Sequence, residues 1–498
     1  MANQVYQRTK THSINKVSIT NIDSGNEIDI RPIVDEISIF MDIDNIITSG
    51  YLTVTEKGNL ITSLPMYGRE VLKIAFSTNA DDFSSAKDFN RTFFVYAVDS
   101  IQEFADRRTY IIRFTDCTAI INLGSRVCQK FTGKVEESIQ KIGKIFNKDS
   151  NSIFSKNLGG VQPFSYNDLK SVTTRNAYNF VVPNWHPLRA IAHFTSFGVS
   201  SDANSGDYND ATDCLFFQNR DGEFIFTSYK KLFDQSEKKT LQRVIPNTSS
   251  YNKAIMESRY NIEEYNINTV FNTQAQQLGL CGATLYYEDA RHIVYKDAKY
   301  VYTNIYNIAE KYASGISGMK TPYRAFQYST NSYYKTVFFN GAYSDADNML
   351  INFILPKHSL GSGVRAHMTH FKLTATLTGS SDLDVGDKVY MNITSSDNVS
   401  TVEYMNTDWI VSKVCHKISF DSYKTYVECF TPFINRNTQD NFSGINPNDR
   451  SSLPTAENNQ SSSFPTTAFN SADISANYTS VNNPVEINSK PFVKETTA

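Results

Sequence analysis

Short runs of alternating apolar and polar residues occupy the chain from Ser13 to Phe114. In one of them, Leu72, Ile74 and Phe76 alternate with Lys73 and Ala75. A period of two residues places one side of a strand on a core and the other side toward solvent or a partner. Residues 1–116 are therefore predicted to form a β domain, with strands at Lys16–Thr20, Ile37–Asp44, Tyr51–Glu56, Val71–Ser77, Phe93–Ser100 and Tyr110–Thr115.

The apolar period changes after Cys117. Lys134–Phe146 has apolar residues at helical spacing, which predicts an amphipathic helix. Pro187 suits the first position of a second helix, and Gly198 suits its end. Asp221-Gly222 separates two alternating runs, a strong signal for a hairpin turn. Residues 117–250 are predicted to form a peripheral α+β domain.

A third region begins near Tyr251. A predicted strand at Ser258–Tyr265 leads into a predicted helix that contains Val270 and Leu278, and Phe371–Phe433 is again strongly strand-like. We predict a second β domain over residues 251–435, with an insertion at about 296–362.

Beyond Asn435 the apolar pattern disappears, and residues 436–498 are rich in Asn, Ser, Thr and Pro. This composition offers too little apolar surface to offset a backbone entropy cost of roughly 1–2 kcal/mol per residue. Two interpretations stay open: a flexible tail, or an extended peptide that docks on other subunits through spaced apolar anchors. The anchors would be Phe464, Phe469, Val485, Ile487 and Phe492.

The two β regions share an internal repeat. Phe94–Thr115 aligns with Ile410–Thr431 without gaps at a constant offset of 316, so that Val98 meets Val414 and Tyr110 meets Tyr426. Similarity in a fixed order is the signature of duplicated architecture. If three chains assemble, their six copies can form a pseudo-sixfold ring that meets a sixfold partner on one side and a threefold partner on the other.

Upstream of this match the offset becomes 318, and Val71 meets Val389. Each copy then has a polar loop, at residues 79–91 and 394–407, longer than a hairpin turn needs. We expect these loops to reach the neighbouring copies, within or between subunits. The candidate interface residues are Asn79, Asp81, Asp82, Lys87, Ser395, Asp397 and Glu403.

Composition and charge exclude several classes of protein. The 33 Phe and 29 Tyr among abundant Asn, Ser and Thr favour strands and turns. A net charge of −3 without a basic run is atypical of a dedicated DNA-binding protein. The six cysteines lack a CxxC pair, which favours reduced thiols over a disulfide framework or a zinc site. No segment approaches the apolar length of a membrane span, so we expect a soluble protein.

Candidate catalytic and metal sites are weak. His367 and His370, with His358 nearby, are the best candidate metal ligands, but no Cys or carboxylate completes the set, and we interpret them as surface histidines. Gly361-Ser362-Gly363 is too short for a phosphate-binding loop and is interpreted as preceding a strand. We therefore nominate no catalytic residue, no cofactor and no metal site.

Four segments have a characteristic order of strands and turns: Gly50–Ser77, Cys214–Leu232, Asn266–Tyr295 and Leu383–Ile393. In this order the sequence resembles the baseplate hub proteins of contractile-tailed phages, which share their fold with the base of type VI secretion spikes. The resemblance spans about Ser13 to Phe433. The polar extension after Asn435 is longer than the family pattern leads us to expect.

The resemblance implies a mainly β fold, with two tail-tube-like β-barrel domains and smaller α+β domains outside them. It further implies a homotrimer that connects the tail tube to the central spike, contacts tube-initiator or baseplate wedge proteins, and passes DNA through its channel. Such a subunit would be assembled in the host cytoplasm and reside in the virion. The alternatives are a baseplate-associated carbohydrate-binding or adhesion module and, third, a peptidoglycan hydrolase.

Overall fold

The computed structural model describes most of the chain before residue 434, and the fold class predicted from the sequence, mainly β with small α+β parts, is confirmed. No helix among the residues described is both long and apolar enough to cross a membrane. The described residues are 12–21, 25–58, 70–78, 88–153, 164–168, 170–175, 177–201, 211–236, 238–243, 260–269, 282–289, 294–313, 331–334, 355–393 and 405–433.

The first repeat copy is an antiparallel arrangement of strands in the order β3-β4-β7-β6-β5-β1-β2. The apolar side of each strand packs into one core, which contains Ile39, Leu52, Ile74 and Phe114. The strands are β1 (His12–Thr20), β2 (Glu27–Asp29), β3 (Val34–Asp42), β4 (Asn45–Glu56), β5 (Val71–Thr78), β6 (Phe89–Glu103) and β7 (Arg108–Thr115).

A mixed α/β part follows, and both predicted helices and the predicted hairpin are present in it. Gly222 lies in the hairpin turn at φ +86°, a conformation that suits glycine. The elements are α1 (Cys117–Gly124), β8 (Val127–Gly133), α2 (Val135–Ile153), β9 (Ser165–Tyr166), β10 (Tyr178–Trp185), α3 (Pro187–Thr195), β11 (Cys214–Gln218), β12 (Glu223–Ser228) and α4 (Tyr229–Phe233).

The second copy has the strand order β14-β18-β21-β20-β19-β13. Its strands are β13 (Lys239–Arg243), β14 (Ile262–Thr269), β18 (Phe371–Leu377), β19 (Lys388–Ile393), β20 (Asp408–Ser419) and β21 (Tyr423–Thr431). Between β14 and β18 lie β15 (Gly282–Asp289), β16 (Val294–Val301), α5 (Tyr302–Tyr312), β17 (Asn331–Tyr334) and α6 (Leu355–Met368). The helix predicted around Val270 and Leu278 lies outside the described residues.

The two copies share the order of five strands, because β3-β4-β7-β6-β5 corresponds to β14-β18-β21-β20-β19 with the same antiparallel pairings. The sixth strand differs: β1 pairs antiparallel with β5, whereas β13 pairs parallel with β19. The matching strand order predicted for the repeat is thus confirmed over five strands.

Irregularities in the strand pairing fall at matching places. The register shifts between Val34 and Glu36 in β3 and between Ile262 and Glu264 in β14. It shifts again between Val95 and Ala97 in β6 and between Val411 and Lys413 in β20. A β-bulge is one extra residue inserted in one strand of a pair, and bulges are conserved within protein families. Two bulges at corresponding positions therefore support a common origin for the copies.

The ungapped sequence alignment is wrong beyond Asp99. The β6–β7 register shifts between Asp99 and Gln102, where Ser100 has φ +54°, and β20–β21 has no matching shift. Val98 pairs with Ile112 and Val414 pairs with Val427, so Ile112 corresponds to Val427 rather than to Glu428. Ser100 is therefore one extra residue in the first copy.

The upstream alignment is also one residue out. Val71 pairs with Phe94 and Lys388 pairs with Ile410, so Val71 corresponds to Lys388 rather than to Val389. This assignment also aligns the buried positions, since Leu72 and Ile74 then match Val389 and Met391. The sequence alignment matched Gly68 with Gly386 and Val71 with Val389, although a shift of one residue moves every side chain to the opposite face of the strand.

Among the described strands, both copies belong to one sheet of 13 strands because β20 forms backbone hydrogen bonds with strands of both copies. One edge of β20 pairs with β21, and its other edge pairs first with β19 and then, from Lys413 to Ser419, with β3. Ile418 and Tyr423 complete the core of the first copy. The two copies are therefore continuous in backbone hydrogen bonding and in packing.

Candidate functional site

The open face of the shared sheet is the candidate functional surface. At the junction of the copies, Ile39, Val414 and Val427 point into the cores, whereas Phe40 and Tyr426 are 41% and 40% exposed. Phe40 is paired with Cys415 and Cys415 with Tyr426, so these three residues form a row across β3, β20 and β21. The alternation of the strands produces this two-sided surface.

Ion pairs cross the open face from strand to strand. The Glu428 carboxylate lies 3.4 Å from Lys372 Nζ and 3.5 Å from Lys413 Nζ, and Lys413 Nζ lies 3.9 Å from an Asp42 oxygen. This chain of charges joins strands of both copies. Burial raises the pKa of Asp42 above its ordinary value. The hydrogen bond that the Asp44 backbone N–H donates to its carboxylate and the nearby Lys413 ammonium group both lower that pKa, but by less.

Further cations on this face are also paired. Lys417 Nζ lies 3.1 Å from Glu36, and Lys424 Nζ lies 3.0 Å from Glu263. The hydrogen bonds that both lysines donate to these carboxylates raise the pKa of each lysine, so both ammonium groups are charged at neutral pH. In the first copy, the Arg113 guanidinium bonds to Asp99.

The open face is concave at the junction, where a groove of about 510 Å³ runs over β3, β20, β21, β18 and β14. Aromatic, charged and small polar side chains line it together. Its outward-facing residues are Phe40, Asp42, Glu264, Asn266, Thr374, Thr376, Lys413, Cys415, Tyr426 and Glu428.

Two buried arginines fix the mixed α/β part to the sheet. Arg91 in β6 donates to Asp116, the N-cap residue of α1, and to Thr48 Oγ1 at 2.9 Å. Arg220 in the hairpin turn donates through its backbone N–H to Asp384 at 2.8 Å and through its guanidinium to the Ser381 carbonyl at 2.9 Å. Burial, followed by the neighbouring Asp387, raises the pKa of Asp384 to about 7.

The candidate loop and tail residues lie outside the described residues. These are Asn79, Asp81, Asp82, Lys87, Ser395, Asp397 and Glu403 in the loops, and Phe464, Phe469, Ile487 and Phe492 in the tail. The strands that flank the loops are described, and they correspond: β5 and β6 in the first copy, β19 and β20 in the second. The assignment of these residues to contacts stays a prediction.

The interpretation of His367 and His370 as surface residues is wrong. Both are buried: His367 lies in the last turn of α6, and His370 lies in the turn between α6 and β18. Burial lowers the pKa of His367 to about 3 and that of His370 to about 4, so both rings are neutral at pH 7. Among the described residues, no three His, Cys, Asp or Glu side chains cluster as metal ligands would.

The residues of the open face are not among those predicted from the sequence. The signal was present in β20, where Lys413, Cys415 and Lys417 alternate with buried Val414 and His416. It could have shown which positions face outward. It could not have shown that β3 supplies Asp42 and Glu36, because the β3–β20 pairing joins segments far apart in the chain.

No protein-family model matches the sequence, and no curated protein matches it. Among solved structures, a 43 kDa tail protein of prophage MuSo2 from Shewanella oneidensis is similar at a TM-score of 0.46 and 8% identity, covering 84% of this chain and 98% of that one. A tail protein from Neisseria meningitidis MC58 has a TM-score of 0.46 and 12% identity, covering 83% and 96%. The E. coli c3393 protein, a component of the type VI secretion system, has a TM-score of 0.39 and 10% identity, covering 85% and 78%.

Proposed function

We propose that this chain is a non-enzymatic structural subunit, the trimeric hub of a phage tail baseplate that joins the sixfold tail tube to the threefold spike. The observation that carries the proposal is the duplicated five-strand arrangement, with both copies joined in one sheet. Three such chains supply six equivalent units and keep threefold symmetry, which is what an adapter between sixfold and threefold partners requires. The sequence resemblance supplies the class of assembly.

In this proposal the concave open face lines the channel. DNA must slide past it, and every cation that reaches a phosphate adds affinity through counterion release. The lysines at the junction are already bound to carboxylates, which supports a wall that does not retain DNA. A net charge of −3 per chain, and thus −9 for a trimer, acts in the same direction.

The remaining parts take peripheral roles in the proposal. Residues 1–116 and 251–435 are the tube-like domains, residues 117–250 lie outside them, and residues 436–498 are a docking tail for the spike or baseplate neighbours. The loop residues predicted above make the contacts between neighbouring units. The subunit is assembled in the host cytoplasm and resides in the virion.

The mass of the purified protein in solution tests the proposal. Multi-angle light scattering is expected to give three times the chain mass of 56.3 kDa. A strictly monomeric protein at every accessible concentration would contradict the hub and favour a binding module instead.

The groove supplies one observation for a second candidate, a carbohydrate-binding module. Phe40 and Tyr426 are exposed at the groove, and aromatic faces stack on sugar rings. Binding of a cell-surface glycan that Phe40→Ala and Tyr426→Ala abolish, in a monomeric protein, would support that candidate.

A further inference from the structure

The seam between the copies is a strand pairing with a defined register. Residues Lys413–Ser419 of β20 run antiparallel to Glu36–Asp42 of β3, with His416 opposite Ile39 and Lys417 opposite Ser38. Through this seam, His416 packs against Phe76 and Phe89 of the first copy, with ring centroids 5.8 and 5.9 Å apart. One chain thus contains one complete junction between neighbouring units.

The same chain also has two open strand edges that match the two sides of this junction but do not pair with each other. β6 is the counterpart of β20, and beyond Phe94 the edge that carries β5 has no strand partner in the described part of the chain. β14 is the counterpart of β3, and within the same part it pairs with β18 along one edge, while β13 meets the other edge only at the Gln242–Asn261 bridge before β14 begins. Open strand edges of this kind are templates for pairing with another chain.

We propose that β6 of one subunit pairs antiparallel with β14 of a second copy and repeats the internal seam between subunits. The inference rests on the proposed trimer and specifies its interface. The register of this pairing follows from the internal seam, once each residue of β20 and β3 is replaced by its counterpart in β6 and β14. Val98 then faces Thr269, Asp99 faces Asn268, and Ser100 is the unpaired bulge residue.

Beyond the bulge, Ile101 corresponds to His416 and faces Ile267, and Gln102 faces Asn266. Exposure agrees with this register. Ile101 is 52% exposed, whereas its counterpart His416 is fully buried because β3 and the first core cover it. Ile267 is partly buried against the second core. Pairing the two isoleucines across a seam would bury both of them.

Disulfide cross-linking tests the register. In full-length protein with Cys128→Ser, which removes an exposed thiol, Ile101→Cys and Ile267→Cys are made separately and the two proteins are mixed. Directly opposed residues of antiparallel strands have α-carbons about 4.5–5.5 Å apart, within the range that a disulfide spans. Oxidation is expected to give a linked dimer containing one chain of each variant, and the double variant is expected to give linked trimers. Ile101→Cys mixed with Asn266→Cys is the matched control, expected to link at least tenfold less because the two residues face opposite sides.

A charge pair at the exposed positions gives an independent measurement that does not disturb either core. Gln102→Lys with Asn266→Lys is expected to raise the trimer dissociation constant at least fivefold at low salt, compared with Gln102→Lys with Asn266→Glu. A trimer that neither cross-links in this register nor responds to these charges would overturn the seam and leave the hub intact. A protein that never trimerises would overturn the hub itself.

Discussion

Glu428 binds two lysines at once, so a single substitution can release cations on the open face. Glu428→Gln removes the carboxylate beside Lys372 and leaves Lys413 only the Asp42 oxygen at 3.9 Å. We expect the variant to bind duplex DNA at low salt where the parent does not. The salt dependence of log K should steepen by about 0.9 for each cation that reaches a phosphate.

Fluorescence anisotropy with a labelled duplex at 20 and 200 mM salt measures this change. Asp29→Asn is the control, because it frees Arg31 from an ion pair elsewhere in the first copy. Equal DNA binding by parent and Glu428→Gln would show that the open face does not meet DNA.

Three of the buried histidines, His367, His370 and His416, set a limit on acid stability. Burial lowers the pKa of His367 and of His416 to about 3 and that of His370 to about 4. The unfolded chain takes up these protons near pH 6.5, so their contribution to stability is present above that pH and is lost as the pH falls toward 4. Each histidine contributes about 1.4 kcal/mol per pH unit in that window. Asp384 has the opposite effect on stability. Because its pKa is raised to about 7, the folded chain binds this proton more tightly than the unfolded chain does, so its contribution to stability grows as the pH falls below 7.

His416→Gln should therefore reduce the fall in unfolding temperature between pH 7 and pH 5. The expected reduction corresponds to one proton fewer taken up on unfolding. Differential scanning fluorimetry across that range measures it. His186→Gln, at a half-buried residue outside the sheet, is the control. An unchanged slope in His416→Gln would mean that this ring is not neutral in the folded protein.

At the level of strands, Ser100 is the one residue by which the β6–β7 hairpin exceeds its counterpart. The chain reverses in the same way in both copies, since Phe104 N–H donates to the Arg107 carbonyl and Ser419 N–H to the Ser422 carbonyl, each at 2.8 Å. Deleting Ser100 removes a left-handed non-glycine residue that costs about 1–2 kcal/mol. We expect a folded protein with an equal or higher unfolding temperature.

Deletion of Val98 is the matched comparison, because it turns every following residue of β6 to the opposite face. That protein should lose its cooperative unfolding transition, as circular dichroism would show. If both deletions unfold the protein, the correspondence between the two hairpins is wrong.

The strands and the repeat were predictable because alternation is local, but three features were not. The bulge at Ser100 is a feature of the backbone conformation, and the pattern of apolar and polar residues does not reveal it. Helix α6 was missed because Pro356, Gly361 and Gly363 are poor helix formers, and Gly361 is required there since a β-carbon would collide with Thr212. The β3–β20 pairing depends on packing between distant segments, which no local pattern encodes.

For the whole molecule, the two loops offer a test of assembly that spares the fold. They connect corresponding strands, β5 to β6 and β19 to β20, and we predict that they contact neighbouring units. Shortening residues 80–87 or 395–403 should raise the trimer dissociation constant and leave the β signal in circular dichroism unchanged. Shortening residues 202–210, in the mixed α/β part, is the control, and a trimer indifferent to both loop deletions would contradict the prediction.

The completion of the first core by Ile418 and Tyr423 has a consequence for synthesis on the ribosome. The first copy's last strand ends at Thr115, roughly 300 residues before these side chains are translated. At about 5–20 residues per second, the nascent domain waits on the order of 15–60 s with the β3 edge and part of its core uncovered. During that interval it is open to pairing with other nascent chains, so its yield in a cell should depend on chaperones that bind unfinished sheets.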